Sequence, residues 1–143
     1  MPRRVVKFGS EQMVHQQVVD YLKLRYSWAI FRTDFAAGLK LPAAVAIRHS
    51  KLQSGSGFPD LFIYEPAHVL YGEYHGLALE LKAEGVELYK KDGALRANPH
   101  VEEQAAVLQK LRERGYDAHF AVGFDQAREK IDLYMTGGKP TFF

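Results

Sequence analysis

Two carboxylates and a lysine stand in a pattern that could do chemistry: Pro59-Asp60, and further along the chain Glu80-Leu81-Lys82. Asp60 follows the glycine-rich segment Ser54-Gly55-Ser56-Gly57, where the backbone can turn sharply and leave a carboxylate open at a strand end. Glu80 and Lys82 are two residues apart, so in a strand they share one face. If the strands that carry Asp60 and Glu80 are neighbours, the two carboxylates converge on one hard cation. The carbonyl of Leu81 is then a candidate third oxygen ligand. A few oxygen ligands with open water positions suit Mg²⁺ or Mn²⁺. Each residue also has a purely structural explanation. Aspartate is a frequent turn former after Gly and Pro, and Glu-x-Lys on an exposed strand face is a common surface ion pair.

Two polar residues interrupt helical apolar stripes and are candidates for the same site. Glu11 lies in line with Val14, Val18 and Leu22, and Gln104 with Val101, Leu108 and Leu111. A polar group aimed at a core face must find a partner. Glu11 is read as an outer metal ligand acting through water, Gln104 as a hydrogen-bonding positioner. A glutamate in a first helical turn is also favoured by the helix dipole alone. The six histidines show no His-x-x-x-His ligand spacing. His15, four residues after Glu11, and His100, four before Gln104, could edge the site, but solvated surface positions are expected for them. Gly55-Ser56-Gly57 lacks the Gly-Lys-Ser/Thr of a phosphate loop and opens a strand, not a helix.

The elements that must position these residues follow from periodicity and breakers. Ser10 is a candidate N-cap for a helix to about Arg25. A short strand is expected over Trp28–Thr33, a helix over Pro42–Lys51 started by its proline, and a strand over Leu61–Tyr64. Gly76–Ala83 alternates, with Leu77, Leu79 and Leu81 on one face and Ala78, Glu80 and Lys82 on the other. Asp92-Gly93 is a two-residue turn signal between Val86–Lys91 and Ala94–Ala97. Asn98-Pro99 opens a second long helix that stops at Gly115. Tyr116–Val122 is a strand, and Asp125 is expected to cap a last helix to about Met135. The strand–helix–strand unit from Gly76 to Val122 favours a parallel pair, while the earlier strands can pair antiparallel. The expectation is an α/β fold with a mixed sheet and helices on both faces.

Apolar residues make up 47% and charged residues 25% of the 143, a globular composition of one-domain size. Nineteen Lys and Arg against seventeen Asp and Glu leave only +2, which by itself implies no nucleic-acid partner. The distribution is more informative. From Phe35 to Pro59 there are Lys40, Arg48, Lys51 and His49 but no acid, and Arg3, Arg4 and Lys7 make the amino end basic. Such runs are commonly solvated faces, yet these flank the carboxylate motif. The absence of cysteine excludes disulfides and thiolate metal sites and fits a reducing compartment. No apolar run is long enough to span a membrane and no signal-peptide core is present, so a soluble cytoplasmic protein is expected.

With those motifs in place, Gly57-Phe58-Pro59-Asp60-Leu61, Leu79-Glu80-Leu81-Lys82 and Glu103-Gln104-x-x-x-Leu108 resemble the PD-(D/E)XK nuclease superfamily. Within it they are similar to the stand-alone virus-type replication-repair nuclease (VRR-NUC) domain. The likeness runs from about Glu11 to the last helix, so residues 1–143 are expected to form a single VRR-NUC-like nuclease domain. It implies a restriction-endonuclease-like fold and metal-dependent hydrolysis of DNA phosphodiesters. On the resemblance, Asp60 and Glu80 bind Mg²⁺ or Mn²⁺, Lys82 orients or helps activate the attacking water, and Gln104 matches the glutamine heading the later helix. Glu11 is matched to the acid of the first helix, with Gln16 and Gln17 where the helical glutamine often falls. Stand-alone members are similar to junction-resolving enzymes, which implies a homodimer acting on branched, four-way (Holliday) DNA. Lys40, Arg48, Lys51, Lys90, Lys91 and Arg96 are the candidate phosphate contacts, which position DNA without reading its sequence. A non-catalytic DNA- or junction-binding module is the alternative, and a plain α/β protein that binds protein partners a third.

Overall fold

The computed structural model describes residues 8–34 and 41–138. Lys40, the basic amino end and the Thr141–Phe143 tail lie outside these residues. The elements in chain order are α1 (Phe8–Arg25), β1 (Phe31–Thr33), α2 (Ala43–Lys51), β2 (Leu61–Ile63), β3 (Leu77–Lys82), α3 (Pro99–Glu113), β4 (Asp117–Val122) and α4 (Gly123–Thr136).

The sheet has the order β1-β2-β3-β4. β1 and β2 pair antiparallel, with Arg32 opposite Phe62; β2 and β3 pair antiparallel, with Leu61 opposite Leu79; β3 and β4 pair parallel, with Glu80 opposite Phe120. This is the expected mixed sheet. Its layers follow from the alternation in β3. Leu77, Leu79 and Leu81 face Val14, Val18 and Leu22 of α1 and Ala127, Ile131 and Tyr134 of α4, all part of one buried cluster. Burying each such leucine stabilises the fold by roughly 1.5–3 kcal/mol. Ala78 faces the other way, packing with Leu108 of α3 and Ala118 of β4. Glu80 and Lys82 share that second face, and α3 lies over β3 and β4.

Helix α3 starts as its sequence dictates. Asn98 Oδ1 accepts from the N–H groups of His100 (3.0 Å) and Val101 (3.3 Å), and Pro99 sits in the first turn. Gly115 follows the helix at φ +89°, a conformation that favours glycine. Other boundaries differ from the expectation. The described part of α1 begins at Phe8, so Ser10 lies within the helix instead of capping it. β1 begins at Phe31, after a turn at Ser27–Trp28 that leaves Trp28 exposed. Asp125 does not cap α4; the helix starts at Gly123, and the Gln126 side chain accepts from the N–H of Val122. Around Asp92-Gly93 there is one bridge, Tyr89 with Leu95. Its turn has three residues: Lys90 N–H reaches Ala94 O, and Gly93, at φ +86°, donates to Lys90 O. Glycine in the left-handed position of a three-residue turn is the next commonest hairpin closure.

Two side-chain clips hold the layers together. Tyr21 of α1 and Tyr26, just after it, both donate to Asp132 of α4, at 2.5 and 2.7 Å. Near the start of β4, Tyr71 donates to Asp117 at 2.5 Å, and His119 lies 2.6 Å from the same carboxylate. Burial opposes ionisation of Asp117, but the bonds from His119 and Tyr71 outweigh it and hold its pKa below the ordinary value.

Candidate active site

Asp60 stands just before β2 and Glu80 in β3, and the antiparallel register that pairs Leu61 with Leu79 brings the two residues side by side. Asp60 Oδ2 accepts the backbone N–H of Leu81 at 2.9 Å, which fixes the carboxylate against the end of β3. In an extended strand a residue's N–H and C=O point to the same edge, so the Leu81 carbonyl lies on the side where Asp60 sits. The loop before Asp60 is pinned to α3: Ser56 donates to Glu103, and a Cβ on Gly57 (φ +80°) would lie 3.1–3.2 Å from Glu103 side-chain and backbone atoms. Glycine is required there both by conformation and by closeness.

Glu80 and Lys82 are only 2% and 9% exposed, which rules out the surface ion pair. Charges so deeply placed are costly unless they are paired and hydrogen-bonded, and Gln104 supplies the connection. Lys82 Nζ donates to Gln104 Oε1 at 2.8 Å, and Gln104 Nε2 donates to Glu80 Oε1 at 2.7 Å. An amide is the right group between an ammonium and a carboxylate, because its oxygen faces the cation and its NH₂ faces the anion. Lys82 Nζ also stands 3.7 Å from Glu80 Oε1. Gln104 Nε2 is 3.2 Å from His100 Nε2.

The second oxygen, Glu80 Oε2, is buried with no hydrogen-bond partner among the described residues. Burial and the adjacent Asp60 carboxylate push the Glu80 pKa up to about 9, against the opposing pull of Lys82. Such a carboxyl keeps its proton unless a cation takes the proton's place. The residues therefore fit a divalent metal: a lone buried oxygen, an adjacent carboxylate and hard oxygen donors.

Helix α1 adds Glu11 and His15. Glu11, His15 and Asp60 each offer a ligand atom within 4.8 Å of the others, and His15 Nε2 is 3.5 Å from Asp60 Oδ2. Burial alone would lower the His15 pKa, but its hydrogen bond to Asp60 and the charges of Asp60, Glu11 and Asp34 raise it above the ordinary value. His15 is thus half-buried beside the carboxylate, not a solvated histidine. Its only sequence signal is its place one helical turn after Glu11. Among the described residues, a cavity of about 310 Å³ is lined by Glu11, Asp60, Glu80, His100, Gln104 and α2 residues including His49.

The candidate phosphate contacts are spread more widely. α2 buries no residue, and it turns Ala46, His49 and Ser50 to the cavity. Helical spacing then puts the exposed Arg48 and Lys51 on the outer side of α2. Lys90, Lys91 and Arg96 belong to the hairpin segment, whose Tyr89 and Leu95 border a groove with Phe120 of β4; none of the three lines the cavity over Asp60. Arg96 already pairs with exposed Glu87 at 2.8 Å.

No family model and no curated protein matches the chain. Among solved structures it is similar to a VRR_NUC domain protein, at 23% identity and a TM-score of 0.60, over 87% of each chain. The likeness is one of fold: the chain shares with that protein a mixed α/β architecture, here a four-stranded mixed sheet flanked by helices. Among the described residues no helix is long and apolar enough to cross a membrane.

Proposed function

We propose that this chain is a single VRR-NUC nuclease domain, a divalent-metal-dependent endonuclease that hydrolyses DNA phosphodiesters. The observation that carries the reading is the buried Lys82–Gln104–Glu80 chain beside Asp60, with Glu80 Oε2 left without a partner among the described residues. An arrangement so costly to bury is expected where it does work on a ligand. Likeness of fold to a VRR_NUC domain protein supports the same reading.

Asp60 and Glu80 would hold Mg²⁺ or Mn²⁺, with the Leu81 carbonyl as a further ligand and Glu11 acting through water. When bound, the cation supplies Lewis-acid polarisation of a phosphoryl oxygen and a more acidic water. Lys82, aimed by Gln104, orients the attacking water and offsets charge that develops on the phosphate. Water oxygen bonds to phosphorus as the ester P–O bond breaks; the water gives up one proton to solvent and the departing oxygen takes one up from solvent. Arg48 and Lys51, with Lys90, Lys91 and Arg96 farther off, are the proposed backbone contacts, and Lys40 belongs with them by sequence. The substrate proposed is branched DNA, four-way junctions above all, cut by a homodimer because a two-fold enzyme matches paired strands. A cytoplasmic location is part of the same reading.

End-labelled four-way junction, flap and linear duplex, each with Mg²⁺, Mn²⁺ or EDTA, test it beside Lys82→Ala. Paired metal-dependent nicks in the junction are expected, abolished in Lys82→Ala with binding retained. Cleavage of flap or duplex alone would remove the junction role. No cleavage in any metal, with binding intact, would leave a non-catalytic DNA-binding module.

A further inference from the structure

A second cavity, also about 310 Å³, adjoins the one over Asp60. It exists because α3 lies over β3 and β4 but not over β1 and β2. On that face, among the described residues, β1 and β2 present Arg32 and Phe62, which are cross-strand partners, and then Tyr64, with Leu111 of α3 at the border. His49 and Gln53 border it from the α2 side, and Phe58 stands where the two cavities meet, lining both. Asp60 also borders both. A phosphate held near Asp60 and Glu80 would therefore have its neighbouring nucleotide at this second cavity.

We infer that the cavity lined by Phe58, Phe62, Tyr64 and Arg32 receives one unpaired nucleotide next to the scissile phosphate, its base stacked on the aromatic rings. The inference rests on the nuclease reading for the position of the phosphate. Its own support is chemical. Tyr64 is 51% and Phe58 39% exposed, so aromatic surface stands open beside the carboxylate of Asp60. The Phe62 and Tyr64 rings lie 4.7 Å apart and tilted, a corner against which a flat ring can pack. Exposed Arg32 on the same wall offers a planar cation for stacking or for a phosphate. Base–aromatic stacking tolerates any base, and a base already stacked inside a duplex has no free face to offer. The volume lies at the low end of small-ligand pockets; it suits one nucleotide and not a base pair. The pocket would therefore favour DNA whose strands separate beside the cut.

The probes are a blunt duplex and the same duplex with a short single-stranded tail, carrying fluorescent aminopurine at each tail position in turn, with Ca²⁺ present. The tailed DNA is expected to bind about tenfold tighter than the blunt one, with fluorescence quenched at one unpaired position. Tyr64→Ala, at a half-exposed position that does not line the cavity over Asp60, should lose that preference and the quenching. Affinity for blunt duplex and the thermal shift on adding Mn²⁺ should stay as in the parent. Equal affinity for both DNAs, or no quenching at any position, overturns the inference. So does a dimer that becomes a monomer in Tyr64→Ala by sedimentation, since the face would then join two copies. Cleavage of both DNAs at equal rates without quenching would sink the pocket and leave the nuclease standing. Quenching without cleavage in Mg²⁺ or Mn²⁺ would do the reverse.

Discussion

At the scale of single residues, Glu80 concentrates the conflict between stability and function. Its carboxyl is buried, one oxygen has no partner among the described residues, and Asp60 stands beside it. With no divalent cation, the folded protein holds the Glu80 proton up to about pH 9, whereas the unfolded chain releases it in the ordinary carboxylate range. Between those limits the folded state binds more protons, so stability falls as pH rises through the window. Glutamine mimics the protonated acid and does not titrate. Glu80→Gln should therefore track the parent below about pH 4 and exceed it increasingly from there toward pH 9, by about 2 kcal/mol or more. Mn²⁺ should raise the melting temperature of the parent and not of the variant. Chemical denaturation at several pH values, with and without Mn²⁺, checks both; a gap that does not change with pH would mean Glu80 is ionised in the folded protein.

Among the elements, the union of α1 with α4 decides whether Glu11 and His15 reach the site, because both ride on the first turns of α1. The union depends on apolar packing and on Asp132, which accepts from Tyr21 and Tyr26 together. Asp132→Ala strands two phenolic hydroxyls in a half-buried seam and should cost about 2 kcal/mol. Asp132→Asn keeps an acceptor and should cost less than half as much, as denaturant titration of the two variants would reveal; equal losses would implicate the charge instead of the bond. Legibility in the sequence varied in the same way from element to element. The alternation of β3 foretold both the leucine face and the Glu80–Lys82 face, and Asn98-Pro99 marked the start of α3, because those signals act within a few residues. Glu11 and Gln104 were visible as polar breaks in apolar stripes. The turn at Ser27–Trp28, the start of α4 at Gly123 and the closeness of His15 to Asp60 were not, since each is set by packing against distant chain. The second cavity was invisible for the same reason: it depends on where α3 stops across the sheet.

For the whole molecule, a net charge of +2 supplies little attraction for DNA, so the placement of cations must do what their number does not. The sheet order puts β4 and the hairpin groove on one side of β3, and β1, β2 and their cavity on the other. Arg48 and Lys51 sit on the outer side of α2, the helix that borders the cavity, while Lys90 and Lys91 sit in the hairpin on the other side of β3. A short duplex centred over Asp60 would meet the first pair only; an arm of a branched DNA could reach the second. Removing one cation that neutralises a phosphate should flatten the dependence of log affinity on log salt by about 0.9. With a short duplex, the double variant Arg48→Ala, Lys51→Ala should therefore reduce the slope by about 2, and Lys90→Ala, Lys91→Ala should leave it unchanged. With a four-way junction both double variants should reduce it. Fluorescence anisotropy over a range of salt, with Ca²⁺ present, separates these cases. If the hairpin variant flattened the slope on the short duplex as well, the DNA would have to cross the whole sheet, not lie over α2 and the cleft.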